Sequence, residues 1–537
     1  MSVLPPINPS LQFAVVPSGG TKGEGEAGIS SAPHPGLAGL LLLLFLGLTA
    51  FGAENYYVLK PDAFAGHVKR FNAMEDENVT NLVSNAAAWD WLRQNIPLFE
   101  CPDRAVEETY YFRWWSFRKH LEETADGFVF TEFLTRPTPV SSALGHQLME
   151  GRWLHNQKYL DDYVRYWLRN PDRRRQLHSY SSWLPDALYQ RYLVTADKGF
   201  LVSLLDALTD DYQQWEQERL SSSGLFWQYD VRDAMEESIS GSRTNKNLRP
   251  TLNSYMFGNA RAIAATARLA GQTERANQFD AKAAELKRLV QTKLWNPDAK
   301  FFEVLRDDGQ FSNVREEIGF IPWMFKLPDP NQGYETAWAQ LADPQGFRAP
   351  YGITTAERRS PKFRSHGYGH CEWDGAVWPF ATSQTLEALA NVLRSYPQDV
   401  VTARDYFDAF LTYVHSQQAD GKPYIGEYLD ETTGQWINGK AGRSRYYNHS
   451  TFADLLITGV VGFRPRADDT VEVQPLLPDG MWDWFCVDGV KYHAHMLTII
   501  WDKDGKHYGR GRGLLVLADG KQIAKADKLE RTTGKLP

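Results

Sequence analysis

From Thr251 to Trp295 apolar residues recur at helical spacing, and the run is interrupted once, at Gly271-Gln272-Thr273. That pattern is a pair of amphipathic helices joined by a tight turn. Tyr180–Ala207 repeats it, split by the turn Thr195-Ala196-Asp197-Lys198-Gly199, and Thr382–Leu393 with Ala403–Gln417 makes a third pair. Between the pairs lie loops rich in glycine, aromatic and acidic residues. Short helix connections on one side and long decorated loops on the other are what a toroid of helical hairpins requires. A site is then expected where the long loops gather at one mouth.

The periodicity changes after about Gly459. Thr470–Val473 alternates, Leu497–Trp501 is β-branched and apolar, Asp502–Gly505 is a hairpin turn, and Leu514–Leu517 leads into the turn Ala518-Asp519-Gly520. The expected organisation is therefore mainly α: a leader over 1–53, a helical toroid over 54–460 and a small all-β, sandwich-like module over 461–537. Within 54–135 the signals are mixed. Trp89–Asn95 reads as helix and Val129–Phe133 as strand, which gives no separate N-terminal domain.

The leader carries an apolar stretch, Gly36–Thr49, followed by Ala50-Phe51-Gly52-Ala53, as in a secretory signal peptide cleaved after Gly52. Only Lys22 supplies a basic charge ahead of it, and the apolar run is short for a membrane span of about 20 residues. Export, to the periplasm or outside the cell, is the favoured expectation, and an N-terminal membrane anchor is the alternative. Asn78-Val79-Thr80 and Asn448-His449-Ser450 are glycosylation sequons, meaningful in a eukaryotic host. Fifty-eight basic against 66 acidic side chains leave a net charge of −8, and the tightest basic run is Arg173-Arg174-Arg175, which excludes nucleic acid as an expected partner. Three cysteines, Cys101, Cys371 and Cys486, are too few for a disulfide framework, although one bridge would fit. No cluster of His and Cys suggests a metal, and no cofactor is expected. The sequence is silent on oligomeric state.

Three loops carry chemistry. In Gly224–Ser238 the acids Asp230, Asp233, Glu236 and Glu237 interleave with Phe226, Trp227, Tyr229 and Met235. Apolar neighbours raise the pKa of a carboxyl, as a general acid needs. In Gly369–Phe380 two tryptophans, Trp373 and Trp378, flank Asp374 and Gly375, with His370 and Glu372 close by. Tryptophan faces suit the flat C–H surface of a pyranose. In Tyr424–Gly434, Glu427 precedes a polar turn. Hydrolysis of a glycosidic bond needs two carboxyls on opposite sides of that bond, and two acidic loops facing across one mouth would supply them. Tyr111–Trp115 reads as a substrate wall or a buried helix, with Arg113 and Trp115 the candidates. Asn253, Tyr255 and Trp227 are further candidate contacts. His146 and His155 read as structural, and Ser450 as a helix N-cap. No G-x-S-x-G elbow, Walker loop or dinucleotide fingerprint occurs, so esterase, kinase and dehydrogenase readings lack support.

At these loops the chain resembles the (α/α)6-barrel, six-hairpin glycosidases that include processing α-glucosidase I and mannosylglycerate hydrolase, glycoside hydrolase family 63 and relatives. Ala234-Met235-Glu236-Glu237-Ser238 is similar to that group's Gly-Met-Asp-Asn-Ser, whose Asp is the general acid. Cys371–Trp378 resembles its Tyr-Trp-Arg-Gly-Pro-Ile-Trp sugar-subsite segment, and Glu427–Gly434 its Glu-Asn-Tyr-Asn-Pro-x-Thr-Gly, whose Glu is the general base. The likeness covers about 180–460. It departs in placing Glu where the group has the acid Asp, and Asp374 where it has Arg. The resemblance implies an inverting, exo-acting glycoside hydrolase with Glu236 as acid and Glu427 as base, Asp233 being the other acid of the first loop. Trp373, Trp378 and Trp115 would stack on sugar while Asp374, His370 and Asn253 bind hydroxyls of a carbohydrate substrate. Two rivals remain open: a polysaccharide lyase using Arg113, His370 and Tyr446, and a non-catalytic glycan-binding protein.

Overall fold

The computed structural model describes residues 55–537 except 80, 137, 366, 368–369 and 438–443. The expected leader, Thr80 of the first sequon and Gly369 lie outside the described residues. Glu54–Pro537 is one compact unit. Among the described residues no helix is long and apolar enough to cross a membrane.

The helix pair expected from Thr251 forms as Pro250–Leu269 and Thr273–Lys293. Pro250 opens the first helix, where its missing N–H costs nothing, and Gly271 in the left-handed region makes the turn. The Thr195–Gly199 turn separates Leu184–Thr195 from Lys198–Ser203, with Asp197 capping the second helix, and Leu205–Arg219 follows. Pro379–Ser395 and Ala403–Ser416 form the third pair, the latter started by a Thr402/Asp405 capping box.

Neighbouring helices make a circuit. Leu144–Gly151 packs on Leu184–Thr195, which packs on Pro250–Leu269, which packs on the short helix Ile321–Met324. Ile321–Met324 packs on Pro379–Ser395, and Ala453–Leu455 touches both Pro379–Ser395 and Leu144–Gly151. Arg104–Arg118, Leu205–Arg219, Thr273–Lys293 and Ala403–Ser416 pack against members of this circuit. Trp114, Trp153, Trp183, Trp215, Trp323 and Trp338 are wholly buried, so much of the aromatic content is core.

Ser450 is not the expected N-cap. The helix begins at Ala453, and the Glu150 carboxylate accepts from the main-chain N–H groups of Phe452, Ala453 and Asp454 instead. A carboxylate satisfies three orphan donors at once, which a hydroxyl cannot. Ser450 accepts from Arg113.

The C-terminal strands form two sheets. One pairs Leu98–Glu100, Trp484–Tyr492, His495–Asp502, Gly513–Ala518 and Lys521–Ala526 in that order, and the other pairs Phe463–Arg464, Thr470–Val473 and Thr532–Lys535. Leu98–Glu100 comes from the region left unassigned by sequence. It crosses the expected boundary at 460 and covers an edge of the large sheet. The Val129–Phe133 strand appears as Gly127–Phe130, paired with Leu121–Thr124. All three cysteines are free thiols.

Candidate active site

Glu236 and Glu427, distant in sequence, line one cavity of about 510 Å³, with Glu132, Trp378, Tyr447 and His449 in the same wall. That volume is of small-ligand scale.

The Glu236 loop owes its shape to strain and to one buried ion pair. Asp233 accepts from Arg249 Nε at 2.6 Å and from Ser181 Oγ at 2.5 Å, and it is buried. That ties the loop to the start of Pro250–Leu269. Ala234 (φ 58°) and Glu237 (φ 64°) then adopt left-handed backbone, uncommon for residues with a Cβ, on either side of Met235-Glu236. Met235 is fully buried and anchors the loop, Glu237 turns aside to pair with Arg243, and Glu236 is delivered to the cavity. Burial, reinforced by the nearby charge of Glu427, raises the Glu236 carboxyl to about 7. Asp233, the alternative acid, is not among the lining residues and is already satisfied by Arg249 and Ser181.

The Glu427 loop is fixed to the tryptophan loop. Val377 and Leu429 exchange two main-chain hydrogen bonds of 3.0 Å. Arg364 reaches Glu372 at 2.5 Å, Glu431 at 2.5 Å and Asp430 at 3.4 Å, so one guanidinium joins both loops. Glu427 is itself buried and accepts from Ser444 Oγ at 2.8 Å. Trp378 lines the cavity but stacks with Trp373 (centroids 4.5 Å apart) and Tyr428 (4.6 Å), so other rings already take up its faces. Its Nε1–H donates to the Glu372 carbonyl.

The other expected contacts fall elsewhere. Trp373 is core beneath Trp378, Asp374 is buried and accepts from the Gly367 N–H at 2.9 Å, and Glu372 is spent on Arg364. His370 is exposed and is not among the lining residues. Trp115 is wholly buried and donates to Asn72, so it stacks on core rings and not on a ligand. Arg113 is buried against Tyr413, Gln417 and Ser450. Asn253 holds the main chain of Phe226 and Arg249, Tyr255 accepts from Gln384, and Trp227 lies under Arg219 and Lys246. Each fell within a helix or beside a chemical loop, and only packing could tell that these side chains turn into the core or, for His370, out to solvent. The lyase constellation does not assemble, since Arg113 is core, His370 is exposed and Tyr446 is buried against Trp115.

Sequence reasoning missed Glu132, Tyr180, Tyr447 and His449 among the lining residues. Glu132 sat inside an apparent strand, Val129–Phe133. His449 sat in a sequon that the fold buries, with Asn448 Nδ2 donating to the Thr131 carbonyl. The one available signal was a further pair of chemical residues, Tyr447 and His449, in the segment after the third loop. Left-handed non-glycine residues also recur around the cavity, at Cys371 (φ 54°) and Tyr446 (φ 55°). Among the described residues no group of three His, Cys, Asp or Glu is placed to hold a metal ion.

Residues 136–450 match the mannosylglycerate hydrolase MGH1-like glycoside hydrolase domain, and residues 463–524 match the glycosyl hydrolase family 65 C-terminal domain. A solved structure named "Sialidase" is 49% identical over 89% of this chain, with a TM-score of 0.87. This chain spans 45% of the length of that one. More remote structures share the fold. A GH63 mannosylglycerate hydrolase from Thermus thermophilus in complex with glucose is 15% identical, covering 65% of this chain and 99% of that one, with a TM-score of 0.50. A GH78 family rhamnosidase from a Bacillus species is 14% identical, covering 77% of this chain and 41% of that one, with a TM-score of 0.56.

Proposed function

The chain belongs to the mannosylglycerate hydrolase MGH1-like glycoside hydrolase family, and from that premise we propose that it is an inverting, exo-acting glycosidase. The observation that carries the reading is the meeting of Glu236 and Glu427 in one cavity, with Glu236 raised to about 7. The circuit of helices, closed through Ala453–Leu455, supports an (α/α)6 toroid as the scaffold.

Protonated Glu236 donates its proton to the glycosidic oxygen as the bond to the anomeric carbon breaks. Ionised Glu427 takes a proton from a water on the opposite ring face, and that water's oxygen becomes the new anomeric hydroxyl. Burial and the neighbouring charge of Glu427 favour the protonated form of Glu236, as the acid's role needs. The substrate is a carbohydrate. Export from the cell remains the reading of the N-terminal segment.

The test is a screen of defined 4-nitrophenyl glycosides and oligosaccharides, followed by Glu236→Gln and Glu427→Gln on whichever is cleaved. Each variant is expected to lose about 10²–10⁴-fold in kcat/KM. NMR of the first product is expected to show inverted anomeric configuration. Either variant hydrolysing at the wild-type rate would sink the assignment, and a retained anomer would make Glu427 a nucleophile.

A further inference from the structure

Glu132 lies just ahead of the matched family segment, which starts at residue 136. It nonetheless lines the same cavity as Glu236 and Glu427. Two strips of main chain hold it there. The Glu132 carbonyl accepts from the Asn448 N–H at 3.0 Å, and the Thr131 carbonyl accepts from Asn448 Nδ2 and Gln147 Nε2. The hairpin Leu121–Phe130 is thereby laced to the segment that carries Tyr447 and His449. Glu132 is 4% exposed and accepts from Ser142 Oγ at 3.1 Å, and His449 Nδ1 lies 3.9 Å from its Oε1.

His449 supplies the second observation. Its ring is 2% exposed, lines the cavity and packs among Phe380, Trp378 and Tyr447. The ring bonds the Glu427 main-chain carbonyl, and its Nε2 has no hydrogen-bond partner among the described residues. A buried ring nitrogen left unpaired costs free energy unless something else pairs it. A sugar hydroxyl entering the cavity is the group that would. Both side chains are also held neutral. Burial, with Glu427 close by, pushes the Glu132 carboxyl up to about 8, and burial drives the His449 imidazole well below its ordinary range. A neutral carboxyl that accepts from the Ser142 and Tyr447 hydroxyls still has its own O–H to give, and an imidazole bonded to the Glu427 carbonyl keeps one ring nitrogen for a ligand. Such groups match hydroxyls without adding charge beside Glu427.

We propose that Glu132 and His449 form a hydroxyl-binding pair that holds the terminal sugar between Glu236 and Glu427. The inference rests on the cavity being the sugar site. The pair contributes to binding and takes no proton from water or leaving group.

The experiment titrates the full chain with free hexoses, 6-deoxyhexoses and pentoses, following tryptophan fluorescence, since Trp378 lies in the wall. Glu132→Ala and His449→Phe are expected to weaken the best sugar about tenfold. Glu132→Gln, which keeps a donor and an acceptor, is expected to bind at least about fivefold more tightly than Glu132→Ala. On a cleaved glycoside the same loss falls on KM more than on kcat. Wild-type affinity in both Glu132→Ala and His449→Phe overturns the pair, as does a Glu132→Gln that loses kcat about 100-fold at unchanged KM, which would make Glu132 a proton carrier. A wild type that binds none of the sugars overturns the sugar site and this pair together. Sugar binding that depends on Glu132, beside undiminished hydrolysis in Glu236→Gln or Glu427→Gln, overturns only the acid–base assignment.

Discussion

Asp233 and Glu236 are three residues apart, yet the fold gives them opposite work. Asp233 is used up in fixing the loop to Arg249, and Glu236 is left facing the cavity with a raised pKa. A carboxyl raised from 4.5 to about 7 is protonated below that pH, so a general-acid Glu236 works there and fails as pH rises through about 7. The kcat/KM profile is therefore expected to have an alkaline limb centred near pH 7, measured on any cleaved glycoside. A limb that stays flat to about pH 9 would count against Glu236. Glu387 is the matching case away from the site. Burial, with Asp454 adding to it, pushes its carboxyl up to about 8. The folded form favours the neutral acid, so its contribution is complete below the ordinary 4.5 and is lost as pH rises through about 8. Glu387→Gln is expected to raise Tm on the order of a few degrees at about pH 8.5, with the gain disappearing at about pH 4.5.

The loops of the site stand because a few side chains tie elements together. Arg364 is the clearest, with Glu372, Asp430 and Glu431 gathered on one guanidinium. Glu372 is fully buried, so replacing Arg364 takes a countercharge away from a buried carboxylate. Arg364→Met is expected to cost about 3 kcal/mol in urea denaturation and to lower kcat/KM, because the Glu427 and Trp378 loops lose their common tether. An unchanged midpoint would show that the tether carries no weight. Glu150 does comparable work for the helix at Ala453, accepting three main-chain N–H groups that no local residue reaches. The periodic segments were legible in sequence because helix and strand spacing is a local property. Glu150 and Arg364 were not, since Glu150 and two of the three Arg364 partners are paired across long stretches of chain and these roles exist only after packing.

Across the molecule, the N-terminal and C-terminal regions share one sheet. Leu98–Glu100 pairs with Trp484–Tyr492, and Asp488 Oδ2 accepts from the main-chain N–H groups of Tyr57, Val58 and Leu59 at 3.0, 2.7 and 2.8 Å. Its other oxygen accepts from Thr498. His155, expected to be structural, has its two ring nitrogens beside the carbonyls of Gln94 and Gly489, one of which accepts its N–H. Asp488→Ala is expected to destabilise the protein by about 3 kcal/mol or more and to open residues 55–75 to limited proteolysis, with the helical core cut later. Cleavage at the wild-type rate would show that this end is held by apolar packing alone. The module at 461–537 is thus not a separate appendage, and deleting it exposes the Leu98–Glu100 edge as well as its own face.

The order of helical pairs, the change to alternating strands near residue 460 and the two acidic loops with their intervening tryptophans were all written in local spacing and residue type. Periodicity is read within a turn or two of chain, so no folding was needed to see it. Which acid of the 230–237 loop faces the cavity was decided by Arg249 and by two left-handed residues. Which aromatic rings line the wall and which fill the core was decided by packing. The presence of Glu132 and His449 beside Glu427 depended on a hairpin and a distant loop sharing main-chain hydrogen bonds. Those contacts join positions hundreds of residues apart, and a sequence pattern has no period that long.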